Sequence, residues 1–158
     1  MKNKLALSCL FLFLVLAISG CGKKEPDMNV LSADGSFHYQ NKDLKFSLAL
    51  PADFNYYQVQ RKDTPDYIDI EFFVPTTDKG YEQELSDYAK PVKVRIYKNK
   101  DAWSEVAKAQ GDEPIFIKVG ETKEYVYTLN FWKTRPIDWQ PKWSDEMKKK
   151  IEDGFKIL

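Results

Sequence analysis

Strand-like alternation dominates the chain from Phe37 onward. In "FHYQNKDLKFSLALP" apolar residues fall at every second position on either side of Asn41-Lys42, the period of a half-buried strand. This predicts a hairpin with Phe46, Leu48 and Leu50 on one face, ended by Pro51. "YYQVQRKDTPDYIDIEFFVP" repeats the pattern. Tyr57 and Val59 lead into a turn at 63–66, Ile68, Ile70, Phe72 and Val74 alternate on the return, and Pro75 closes the strand. Asp69 and Glu71 fall between those apolar positions, which places them on an expected solvent face. From Thr76 to Lys90 the chain is polar, a long loop with Tyr81, Leu85 and Tyr88 spaced for one helical turn. "PVKVRIYK" is the cleanest strand, with Val92, Val94 and Ile96 inward and Lys93 and Arg95 outward.

The period changes after Lys100. Asp101 is the expected cap of a helix with Trp103, Val106 and Ala107 on its apolar stripe, stopped by Gly111. "PIFIKVG" and "EYVYTLNFW" follow as two strands about the turn "GETKE". Ser144 then caps a last helix, with Asp145 and Glu146 at its positive end and Met147 and Ile151 on one face; Gly154 ends it. Hairpin, hairpin, strand, helix, hairpin, helix is the order of an α+β domain with a mostly antiparallel sheet and helices packed on it.

Ahead of this domain, at 36–158, lie two segments of different character. Lys2 and Lys4 precede an apolar run from Leu5 to Ile18, shorter than the roughly 20 residues a spanning helix needs, so residues 1–20 read as an export signal. "ISGC" resembles the bacterial lipobox, which implies a diacylglyceryl chain on the Cys21 thiol, cleavage before it, and anchoring to a membrane facing outside the cytoplasm. Gly22 stands where an aspartate would resemble an inner-membrane retention signal, which favours the outer membrane in a cell that has two. Residues 21–35 are polar, proline- and glycine-broken, and read as a lipidated N-terminus and tether.

Without its first 20 residues the chain keeps 138, enough for one domain, and 22 basic against 24 acidic residues. Such a balance argues against a nucleic-acid partner, which needs a concentrated basic face. Cys9 leaves with the signal, so no disulfide is available and stability rests on an aromatic-rich core. "LKFSLALPADF" resembles the opening of PsbP-like domains, and the terminal "GFKIL" resembles their end; the resemblance implies a PsbP-like α/β sandwich. The strings "LPADF", "FFVPT" and "DAW" are also similar to those of small bacterial lipoproteins. Neither resemblance supplies a functional residue.

Chemistry is sparse. His38, the single histidine, has no partner set for nucleophilic catalysis, and His/Cys metal ligation lacks ligands. Asp63, Asp66, Asp69 and Glu71 cluster on one hairpin without the spacing of a calcium loop. Lys148, Lys149 and Lys150 suit a solvated helix end. The unusual stretch is "NFWKTRPIDWQPKW", holding three of the four tryptophans. Two readings of it stay open. Rigid rings beside polar groups suit an envelope protein partner or peptidoglycan, with Trp132, Arg135, Trp139 and Trp143 as contacts; alternatively Trp139 and Trp143 fold back to cap the core. The expectation is a non-catalytic interaction module without cofactor or metal, ahead of a glycan-binding lipoprotein and a carboxylate-dependent hydrolase.

Overall fold

Period-two alternation folds as expected in the computed structural model, which describes residues 28–112 and 114–158. Cys21, the signal segment and the first part of the tether lie outside the described residues. Strands β1 (Ser36–Asn41) and β2 (Phe46–Pro51) form the first hairpin, β3 (Gln58–Asp63) and β4 (Tyr67–Pro75) the second. Then come β5 (Tyr88–Tyr97), α1 (Lys100–Ala109), β6 (Ile117–Glu121), β7 (Val126–Phe131), α2 (Asp145–Asp153) and β8 (Phe155–Ile157). One-turn 3-10 helices at Ala52–Phe54 and Ile137–Trp139 punctuate the loops. No described helix is long and apolar enough to cross a membrane.

The strands divide into two antiparallel sheets, β1-β2-β8 and β3-β4-β5-β7-β6, so the domain is α+β and dominated by antiparallel sheet. The core lies between them. Phe46, Leu48 and Leu50 face Ile70, Phe72, Val94, Ile96, Tyr127 and Leu129 in one cluster, which Met147 and Ile151 of α2 join. Aromatic edges lock the layers: Tyr39 meets Phe72 at 5.0 Å between ring centroids, and Phe155 stacks on Phe46 at 5.6 Å. The Tyr127 hydroxyl donates to the Leu44 carbonyl at 3.0 Å, so its polar end is satisfied inside the core.

Three details differ from the sequence reading. Asn99, not Asp101, caps α1 by accepting from the Ala102 N–H at 2.7 Å; an N-cap needs extended backbone, which Asn99 has and the helical Asp101 does not. Strand β5 begins at Tyr88, inside the expected loop. A short final strand, β8, pairs with β2 after Gly154.

Candidate functional site

The outer face of the five-stranded sheet is where the chain departs most from a simple alternation rule. Asp69 and Glu71 are only 5% and 2% exposed. They alternate as a solvent face would, yet a second layer covers them. Gln110 holds Phe116 at both its backbone N–H and carbonyl, and Asn130 donates to the Ile115 carbonyl at 2.8 Å, so the chain after α1 is pinned across the sheet. From the other side, the loop after β4 brings Glu84 onto Lys62 and Lys90.

Beneath this cover the charges are paired. Arg95 makes a two-pronged contact with Asp69, both nitrogens at 2.7 Å, and its guanidinium lies between the rings of Tyr67, at 3.6 Å, and Phe116, at 4.7 Å. Glu71 binds Lys90 at 2.9 Å and Lys62 at 2.7 Å. Hydrogen bonds to Glu71 and then Glu84 push Lys62 up to about 12. The Lys90 ammonium, helped by Lys62, holds Glu84 below the usual carboxylate range. Burial pushes the Lys93 ammonium down, although Asp69 lies 3.5 Å away. These groups form a closed ionic layer.

The tryptophan stretch folds beside that layer. The Trp132 N–H bonds the Pro91 carbonyl at 3.1 Å, carrying the β5–β7 pairing one residue further. Pro136 then leads into the 3-10 turn, with φ −58°. This turn is zipped to the end of β4. Asp138 accepts from the Thr76 hydroxyl at 2.7 Å and the Thr77 N–H at 3.0 Å, while Asp78 accepts from the Ile137 N–H at 2.9 Å. Sequence reasoning missed this clasp. The signal for it was "TTD" directly after the strand-ending Pro75, because Ser, Thr and Asp there compete for backbone groups.

Of the four contact candidates, two are interior. Trp139 is 2% exposed and donates its indole N–H to the Pro75 carbonyl at 2.9 Å; Trp143 is 7% exposed. They cap the core, as the second reading of the stretch has it. Trp132 is half-buried and Arg135 exposed. Trp132 meets Trp143 at 4.9 Å and Trp139 at 5.6 Å, each pair crossing at 68°.

Two grooves adjoin here. One, of about 360 Å³, runs over the ionic layer between Phe73, Tyr81, Glu84, Lys90 and Lys93. The other, of about 480 Å³, brings together Trp132, Arg135 and Trp143 with Asp112, Asp145 and Lys148. Both share the wall Ile115, Asn130, Phe131, Trp132 and Lys133. Arg135 and Lys133 have no ion-pair partner among the described residues, and the buried Trp132 indole N–H has no acceptor among them. Elsewhere, His38 bonds Asp34 at 2.8 Å on the surface, and no group of three or more candidate metal ligands occurs among the described residues. Comparison of the chain with protein-family models, with curated proteins and with solved structures returned no match.

Proposed function

We propose that the chain is a lipid-anchored extracytoplasmic lipoprotein whose domain acts as a non-catalytic interaction module for an envelope protein. The anchor rests on "ISGC" at Cys21. The docking reading is carried by one observation: a groove in which Trp132 and Trp143 form an apolar floor while Lys133 and Arg135 stand at its wall without an ion-pair partner among the described residues. Unpaired arginine beside an aromatic anchor is the composition of interface hot spots, where two-pronged bonding to a carboxylate adds to buried ring area. An acidic segment of a partner protein fits that chemistry.

The ring geometry favours a protein over a sugar. Stacking on a pyranose takes an open, flat face, whereas Trp132 and Trp143 cross at 68° and Trp143 is almost wholly covered. Hydrolysis by a carboxyl acid needs a raised pKa at the groove. Glu84, on the neighbouring groove, is held down instead. Kinship with PsbP-like domains belongs to the same proposal, resting on the strings "LKFSLALPADF" and "GFKIL" and on the α+β architecture.

A photo-crosslinking residue at Arg135 in intact cells tests the docking, with one at the exposed Arg61 as control. The expected result is one discrete adduct at position 135, absent at 61 and lost when Lys133→Glu is added. Equal labelling at both positions overturns it. Pelleting of the protein with peptidoglycan sacculi, abolished by Arg135→Glu, would replace it with the glycan reading.

A further inference from the structure

We infer that the domain sits directly on the bilayer that carries its anchor, seated through the tip formed by Met28, Val30 and Leu31; this rests on the proposed lipidation of Cys21. The three side chains are 38%, 56% and 47% exposed. Their segment belongs to the expected tether, yet it is built into the domain. The Tyr57 hydroxyl donates to the Met28 carbonyl at 2.9 Å, and the Gln40 N–H to the Met28 sulfur at 3.5 Å. Ser32 donates its N–H to the Ser36 carbonyl at 2.9 Å, and Gly35 closes a turn onto Ser32 at 3.0 Å. The apolar tip is thus presented from a fixed place beside β1.

Chain length then says what covers it. Cys21 precedes Met28 by seven residues; whatever path they take, seven residues span at most about 25 Å. A domain of this size is roughly 35 Å across, so reaching its far side needs about 55 Å of chain. A lipid on Cys21 therefore keeps the Met28 side toward the bilayer, with three exposed apolar side chains at the place where the tether enters. Apolar side chains seated at the headgroup–acyl boundary are the ordinary way a domain lies on a membrane surface.

The test uses the lipidated protein extracted from expressing cells and reconstituted in phosphatidylethanolamine–phosphatidylglycerol vesicles. With Cys9 removed and the Cys21 thiol acylated, an introduced cysteine is the one free thiol. A polarity-sensitive dye goes on Ala33→Cys, beside the tip, or on Lys108→Cys. Lys108 lies on α1, which meets the outer face of the five-stranded sheet through Trp103 and Tyr97, whereas β1 meets its inner face. The expected result is a blue shift of the Ala33 dye and loss of most of its emission to a quencher carried by the lipid chains, with the Lys108 dye unchanged. Adding Val30→Asp and Leu31→Asp should return the Ala33 dye to its behaviour in water, with the thermal melt preserved. A water-like Ala33 dye in the parent protein, or a shift that survives the two aspartates, overturns the seating. So does a blue shift whose emission the lipid-borne quencher leaves intact, which means that a second copy or another part of the chain covers the tip. Intact mass separates the two proposals. An unacylated Cys21 overturns the anchor and the seating with it; an acylated protein with a water-like dye overturns only the seating.

Discussion

Asp69 and Arg95 show how one buried pair is made tolerable. The guanidinium donates two 2.7 Å hydrogen bonds to one carboxylate and lies against two aromatic faces, so its charge is opposed and its flat surfaces are covered. Removing one partner strands the other. Asp69→Ala is expected to lower stability by about 3 kcal/mol, whereas Asp69→Leu with Arg95→Met and Lys93→Met should fall within about 1 kcal/mol of the parent, since no charge of the cluster around Asp69 is then held out of water. Urea melts of both variants check this. Glu84 sets a pH dependence of known sign. Its pKa is lowered from 4.5 in the fold, so its contribution is present above 4.5 and is lost as pH falls through the folded value. Lys62 is raised from 10.5 to about 12, so its contribution is present below 10.5 and fades as pH rises toward 12. Urea midpoints of the parent and Glu84→Gln should therefore differ by a constant amount from about pH 6 to about pH 9 and converge in acid.

At the scale of elements, α1 and α2 have similar caps and different roles. Ser144 caps α2 by accepting from the Met147 N–H at 3.1 Å, and Met147 and Ile151 are core residues; α1 has no buried residue. Ser144→Ala should therefore lower global stability by about 1 kcal/mol. Asn99→Ala should speed amide exchange within α1 while leaving the melt nearly unchanged, because a helix that contributes no core residue opens on its own. Gly154 marks a close approach of α2's end to the backbone of β2. A Cβ there would stand 2.9 Å from both the Cβ and carbonyl oxygen of Ala49, and Gly154→Ala is expected to cost about 1–3 kcal/mol, read as a lower thermal midpoint. Seven of the eight strands were legible, most from their own alternation and β3, with Val59 as its one apolar residue, from the turn that joins it to the alternating β4. Strand β8 was not: in Phe155–Ile157 only Phe155 is buried, and three residues leave no period to detect. Its pairing is set by Gly154 and by β2.

For the whole molecule, what the sequence concealed is what a second layer does to a first. Asp69 and Glu71 carry the pattern of a wetted face, and nothing in β4 itself announces that Phe116 and Glu84, from elsewhere in the chain, will cover them. The tryptophan stretch was legible as a place of consequence but not in its division of labour. Two rings close the core, and Trp132 with Arg135 is left at the groove, because which ring turns inward is decided by the Asp138 clasp and the Pro136 turn together. The antiparallel α+β architecture needed only the order of the elements.

Strand β8 has a bearing on the protein's birth. The hairpin β1–β2 is the first part of the sheet structure to be made, yet its partner strand is the last, and Phe46 finds its stacking ring only when Phe155 arrives. Early contacts cannot close the three-stranded sheet during synthesis, and a gap of about a hundred residues makes its closure a slow, late event. In a chain still emerging from the ribosome the three-stranded sheet therefore lacks its third strand, and the inner ring of Phe46 waits uncovered on that side until β8 is made.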